Sequence, residues 1–122
     1  MKFVIMAAAL LFFSSAAAHE MTPAYLKLAP VEDGIYETTI KMLNRRDDVE
    51  YYEITAFDSE WKPLPFGSYD RVFKLPHLKR KEVKIYFQKK IVNKLTYVCT
   101  TSKIFKGQGT FVSSRICSKV EK

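Results

Sequence analysis

Two cysteines placed symmetrically about a turn constrain this sequence more than any other feature. Cys99 and Cys117 lie at equal distances from Gln108, and a glycine on each side of Gln108 favours a tight turn. A hairpin that turns at residues 107–109 therefore places the two cysteines opposite each other. Opposed residues of a non-hydrogen-bonded pair bring their Cβ atoms close enough for a disulfide. The spacing predicts an oxidised β-hairpin, whose other cross-strand pairs are Phe105 with Phe111 and Ile104 with Val112.

The first 18 residues have the pattern of a secretory signal peptide. Lys2 precedes an apolar run of 11 residues, Phe3–Phe13, and three alanines follow at 16–18. The run is shorter than the ~20 residues that span a membrane, so we expect cleavage rather than an uncleaved anchor, and no transmembrane segment afterwards. Cleavage after Ala18 leaves His19 first in a single domain, residues 19–122. A paired disulfide and a signal peptide both predict export to the periplasm or the extracellular space.

The rest of the chain is patterned as β-strands. Aromatic and β-branched residues are dense, prolines and glycines mark the turns, and no long apolar stripe of helical period is present. The pattern predicts an all-β fold, a seven-stranded antiparallel immunoglobulin-like β-sandwich with a disulfide across the last hairpin. The predicted strands are Ala24–Leu28, Ile35–Leu43, Val49–Phe57, Arg71–Leu75, Glu82–Phe87, Leu95–Ile104 and Thr110–Ser118.

The last hairpin predicts which face of its sheet meets the core. One set of alternating residues is mostly apolar and is expected to point inward: Val98, Thr100, Ile104, Val112 and Ile116. The other set is largely polar and is expected to be solvated: Cys99, Thr101, Lys103, Ser113, Arg115 and Cys117. The disulfide is therefore expected on the outer face, where it joins two neighbouring strands of one sheet.

The order of several segments resembles the N-terminal immunoglobulin-like domain of periplasmic pilus chaperones. The matching segments are TIKMLN (Thr39–Asn44), VEYYEITAFD (Val49–Asp58), KPLPFGS (Lys62–Ser68) and FKLPHLKRKEVKIYF (Phe73–Phe87). The resemblance implies a chaperone-like module that holds a protein partner by strand addition, and some family members carry a disulfide between their last two strands. Pilus chaperones have two such domains and an apolar last strand. Here one domain is expected, and the outward positions of the last strand are Phe111, Ser113 and Arg115.

Four shorter segments are similar to small exported proteins of tailed marine bacteriophages. They are HEMTPAY, NRRDDVEYYEI, the stretch Trp61–Phe66, and SSRICSK. This second resemblance implies no particular activity. It is compatible with an accessory structural part of a virus particle or a cell envelope.

Charge and aromatic residues indicate surface recognition. The formal charge is +7, and it becomes +6 once Lys2 is removed, which favours contact with anionic envelope surfaces over a nucleic acid, for which no motif is present. Aromatic residues crowd around the irregular segment 58–68, either as a binding patch for a peptide, glycan or headgroup or as an extension of the core. The candidate partner-binding residues are Phe111, Ser113, Arg115, Trp61 and Phe66.

No enzyme mechanism can be built from these residues. There is no Gly-x-Ser-x-Gly motif, and both cysteines are expected in the disulfide. Acidic residues at 47–48 follow basic residues at 45–46 in a turn, which is typical of a self-neutralising surface. We therefore expect a non-catalytic binding module without a cofactor. The alternative is a copper protein that uses the α-amine and imidazole of a mature N-terminal His19, with His77 and Met21 as further ligands.

Overall fold

The structure, a computed structural model, describes residues 19–103 and 113–122. These residues form nine β-strands and one helical turn. Their bounds are β1 His19–Thr22, β2 Tyr25–Leu26, β3 Ala29–Glu32, β4 Ile35–Asn44, β5 Tyr51–Phe57, β6 Val72–Lys74, β7 Arg80–Gln88, α1 Lys89–Val92, β8 Tyr97–Lys103 and β9 Arg115–Val120. Within the described ranges, no helix is long and apolar enough to cross a membrane.

The strands form two sheets that share one core. In sheet 1, β7 pairs along one edge of β4, and β1 and β3 pair with the two ends of its other edge. Sheet 2 has the order β2-β9-β8-β5-β6. The predicted all-β sandwich is confirmed by the core, which takes side chains from both sheets: Leu26, Ile40, Tyr52, Ile54, Ile85, Phe87, Leu95 and Val98 are almost fully buried.

The central strands lie close to their predicted positions because their apolar residues alternate with a period of two. Ile40 and Met42 of β4 are buried, and so are Ile54 and Ala56 of β5, as the alternation predicts. A turn at residues 33–34 precedes β4, and Gly34 closes it with a φ of 77°. Such a left-handed conformation is readily adopted only by glycine.

The N-terminal region differs from its prediction. It was expected to be one strand over 24–28, but β1 lies in sheet 1, β2 in sheet 2, and β3 in sheet 1 again. Pro23, between β1 and β2, has no N–H with which to continue a ladder. The strand count among the described residues is therefore nine, not seven. The prediction of a wholly antiparallel fold is wrong as well, because β2 enters sheet 2 parallel to β9.

The final hairpin has the predicted register. Cys99 pairs with Cys117 and forms the disulfide, and Thr100 pairs with Ile116. Ser102 N–H donates to the Ser114 carbonyl at 2.9 Å, so the hydrogen-bonded pairs fall on even-numbered residues and the cysteines on a non-hydrogen-bonded pair. The predicted turn at 107–109 and the pairs Phe105–Phe111 and Ile104–Val112 lie outside the described residues.

The outer face of sheet 2 is less solvated than predicted. The disulfide lies on this face, yet Cys99 is 0% exposed. The guanidinium of Arg115 lies 5.2 Å from the ring centroid of Phe57, two strands away. To reach that ring, the arginine side chain crosses the row formed by Cys117, Cys99 and Thr55. The prediction of a largely polar, open face is wrong at this point because long side chains cover the disulfide.

Candidate functional site

The first half of β9 has an edge that no described strand fills. Its even-numbered residues direct their backbone groups toward β8, so Arg115 and Cys117 direct theirs the other way. Further along this edge, the N–H of Lys119 donates to the Ala24 carbonyl at 2.9 Å. The segment that contains β2 therefore covers the second half of the edge. Among the described residues, no strand covers Arg115 and Cys117.

The structure brings two of the predicted partner-binding residues, Trp61 and Arg115, against the same ring, that of Phe57, and places Phe66 elsewhere. Ser113 and Arg115 are exposed at the edge of β9, whereas Phe111 lies outside the described residues. Trp61 lies on the outer face of sheet 2. Phe66 is half-buried and packs against the core residue Phe87, with ring centroids 6.3 Å apart. The crowding of aromatics in the sequence thus corresponds partly to a surface and partly to an extension of the core.

Four side chains make an aromatic and cationic cluster on the outer face of sheet 2, which we call the outer-face cluster: Phe57, Trp61, Tyr97 and Arg115. The Trp61 ring lies parallel to the Tyr97 ring, with centroids 4.1 Å apart and planes within 5°. The Phe57 ring is 5.5 Å from that of Trp61 and is tilted against it. Phe57 is buried, but Trp61 is 47% exposed. The cluster therefore presents an aromatic surface to solvent.

A tight turn after β5 sets the position of Trp61. The Asp58 carboxylate accepts the N–H of Lys62 at 2.9 Å and that of Glu60 at 2.8 Å. These two hydrogen bonds lower the pKa of Asp58 because they stabilise its charged form, and the bond from the Lys62 N–H has the largest effect. The Asp58 N–H also donates to the Lys62 carbonyl, and Trp61 adopts a φ of 63°. The Trp61 N–H also donates to the Asp58 carbonyl at 3.1 Å, so Asp58 closes the turn with four hydrogen bonds to Glu60, Trp61 and Lys62.

A buried histidine joins the two sheets at one end of the sandwich. His19 is 4% exposed, and its Nε2 lies 2.8 Å from Thr100 Oγ1. Its Nδ1 lies 3.2 Å from Ser114 Oγ, and its ring contacts Tyr52 at 4.7 Å. Burial lowers the pKa of His19 to about 4; a hydrogen bond with Thr100 opposes this effect, and the charge of Arg46 adds to it. At neutral pH the imidazole is therefore uncharged.

Beside His19 lies a second polar group that the sequence did not reveal. The Asn44 side chain is fully buried, and its Oδ1 accepts the Tyr52 hydroxyl at 2.6 Å. Arg46 donates to both carboxylate oxygens of Asp48, as expected of a self-neutralising turn, but its side chain is only 10% exposed and reaches Ser102. The self-neutralising pair is therefore present, but the Arg46 side chain also packs against sheet 2. The one signal in the sequence was an asparagine at the end of a strand, just before the charges.

The proposed copper ligands are only partly brought together. Met21 follows His19 by two residues on the same face of β1, and Thr100 Oγ1 lies 3.4 Å from its Sδ. His77 is exposed in the loop between β6 and β7. In the part of the chain that the structure describes, there is no group of three or more His, Cys, Asp or Glu placed to hold a metal ion.

No protein-family model matches the chain, and a search of curated proteins finds no match. The function is therefore inferred from the geometry of the edge of β9, the outer-face cluster and the buried polar groups. Of these, the edge and the cluster are accessible to a partner.

Proposed function

We propose that this protein is an exported, non-catalytic binding module that holds an extended segment of a protein partner as an added strand. The observation that carries the proposal is the edge of β9, where the backbone groups of Arg115 and Cys117 have no strand partner among the described residues. An added strand gains main-chain hydrogen bonds from such an edge, and the side chains beside it give specificity. The disulfide is consistent with the oxidising compartment that export implies.

The edge is cross-linked to β8 where a partner would bind. Cys117 is bonded covalently to β8, and Ser114 is held by hydrogen bonds to Ser102. A strand added beside Arg115 would lie on the same edge of β9 as β2, next to the residues that β2 already covers. Preorganisation of this kind lowers the entropy that binding costs.

The fold that we propose for the module is immunoglobulin-like. The support is an N-terminal region that pairs first with β4 in sheet 1 and then in parallel with the last strand in sheet 2. A disulfide across the last hairpin and a polar strand end at Asn44 agree with the resemblance to pilus-chaperone domains.

Two substitutions at one residue test strand addition. Because the Arg115 N–H points away from β8, Arg115→Pro removes a donor from the open edge and leaves the β8–β9 ladder intact. Arg115→Gln removes the charge but keeps the donor. Val72→Pro is the matched control, since the Val72 N–H points to the open edge of β6 at the other end of sheet 2.

The measurement uses the purified domain, residues 19–122, and solubilised envelope or virion proteins. A protein that co-purifies is identified by mass spectrometry, and its affinity for each variant is measured. We expect Arg115→Pro to weaken binding at least about tenfold and the other two variants to change it less than about threefold. The proposal is rejected if no protein is retained, or if Arg115→Pro binds as tightly as Arg115→Gln.

Copper binding through His19 is the alternative function. One observation favours it: the Nε2 of an uncharged imidazole and the Sδ of Met21 converge on the same hydroxyl, that of Thr100. Neutral imidazole and thioether are both copper ligands. N-terminal sequencing followed by a copper titration of the mature protein tests it, with His19→Gln as the control. The alternative fails if the chain does not begin at His19, or if the variant binds copper as tightly.

A further inference from the structure

The outer-face cluster has features that strand addition does not use. Trp61 is 47% exposed although tryptophan has the largest apolar side chain, and its ring packs on two other aromatic rings. One face of the ring is covered by Tyr97, and an edge contacts Phe57. Beneath them lies the disulfide-bonded pair of strands β8 and β9. The arrangement holds a flat aromatic surface in one orientation.

The turn holds Trp61 there at a cost in backbone free energy. A φ of 63° is unfavourable for a bulky residue, and glycine would adopt it without strain. The hydrogen bonds of Asp58 to Glu60 and Lys62 maintain the turn. Such strained positions are found at ligand-binding sites, where the surrounding structure compensates for them.

Two cations flank the aromatic surface. Lys119 is the cross-strand neighbour of Tyr97, and Arg115 lies over Phe57, so both are on the outer face of sheet 2. Neither has a carboxylate within ion-pair distance among the described residues, whereas Lys103 on the same face pairs with Glu53 at 3.1 Å. An exposed aromatic ring on the same face as two cations that have no carboxylate partner among the described residues is complementary to a ligand with flat apolar faces and negative charges.

We propose that the outer-face cluster binds an anionic polysaccharide, with a sugar ring stacked on Trp61 and its carboxylate or sulfate groups contacting Arg115 and Lys119. The C–H face of a pyranose matches the exposed indole, and the acidic groups match the two cations. The backbone of Arg115 belongs to the strand-addition edge and its guanidinium to this surface. Trp61 and the side chain of Lys119 are not part of that edge, so tests at these two residues succeed or fail independently of strand addition.

The sequence supplies a direct probe. Trp61 is the only tryptophan, so the emission of the mature domain reports on this ring alone. Alginate oligosaccharides carry carboxylates, heparin fragments carry sulfates, and dextran of the same length is neutral. We expect a saturable change in emission with alginate or heparin that weakens as salt rises, and none with dextran. The proposal is overturned if dextran gives the same change, or if only vesicles of anionic lipid do.

Matched variants separate stacking from charge. Trp61→Ala should weaken polysaccharide binding at least about tenfold in affinity electrophoresis, whereas Tyr69→Ala, which removes a 93% exposed aromatic outside the cluster, should not. Lys119→Gln should weaken it a few-fold and reduce its salt dependence, and Lys84→Gln on β7 should not. Lys119→Gln keeps the tryptophan and its own backbone pairing, so it tests the proposal even if Trp61→Ala does not fold. Equal binding by Trp61→Ala and wild type would mean purely electrostatic association and would reject the site.

Discussion

At the scale of single residues, Asn44 holds together one end of the sandwich. Its Nδ2 donates to the carbonyls of Val49 and Leu75, both at 2.8 Å. Its Oδ1 accepts from the N–H of Arg46 and from the hydroxyl of Tyr52. One buried amide therefore satisfies four groups, which come from β5, from the segment before β5 and from the residue after β6.

Asn44→Ala should be strongly destabilising, because it leaves buried polar groups without partners. Each such group costs about 1–3 kcal/mol, so we expect a loss of about 4 kcal/mol in the free energy of unfolding, measured by chemical denaturation. Asn93→Ala, at an exposed asparagine, is the control and should change it by less than about 0.5 kcal/mol. A similar small loss in both variants would show that the Asn44 hydrogen bonds contribute little.

His19 predicts how stability depends on pH. Burial lowers its pKa from 6.5 to about 4 in the folded state. Above pH 6.5 the ring is neutral in both states and has no effect. Between about pH 6.5 and 4 only the unfolded chain takes up the proton, so the free energy of unfolding falls, by about 3 kcal/mol in total. Below about pH 4 both states are protonated and this loss stops.

The variant His19→Gln isolates that effect, since glutamine can contact the same hydroxyls and does not titrate. We expect its free energy of unfolding to stay nearly flat from pH 6.5 to 4.5, while His77→Gln, at the exposed histidine, falls as the wild type does. The carboxylates of Asp48 and Asp58 have lowered pKa values. The stability that they contribute is therefore lost at a pH below the range of this comparison. Parallel curves for His19→Gln and wild type would contradict the assignment.

At the scale of elements, the β8–β9 hairpin was the most predictable part of the chain. Its register follows from the cysteine spacing and the alternation alone, because a shift of one residue would turn every side chain to the other face. The burial of Cys99 did not follow, nor did the contact of the Arg115 guanidinium on β9 with the Phe57 ring on β5. The alternation of residues along a strand determines which face of the sheet a side chain lies on. It does not determine which long side chains from other strands pack over that face.

The disulfide should contribute measurably to stability. It closes a separation of 18 residues, for which loop-closure entropy predicts about 3 kcal/mol. We expect the double variant Cys99→Ala, Cys117→Ala to lower the denaturation midpoint accordingly, with the wild type in reductant as a second measurement. Thiol labelling of the denatured, unreduced wild type should find no free cysteine. Labelling at Cys99 would contradict the pairing.

At the scale of the whole molecule, the residue expected at the mature N-terminus is part of the core. His19 pairs with Asn44 in sheet 1, and its ring is buried between the sheets. We predict that the protein secreted by a bacterial host begins at His19, as N-terminal sequencing or intact mass would show. A mature protein that retains residues 1–18 would contradict the signal-peptide assignment and the copper alternative together.

The sequence by itself determined the all-β class, the core-facing alternation of β4 and β5, and the disulfide with its register. These depend on neighbours in the chain and on a period of two. Only the tertiary structure decided that the N-terminal region moves between the sheets, that His19 is buried, and that Trp61 stacks on Tyr97. Each of these is a contact between residues far apart in the chain, and no local pattern encodes which of several surfaces a side chain will meet. For the same reason the open edge of β9 was visible only once β2 had been placed beside its other half.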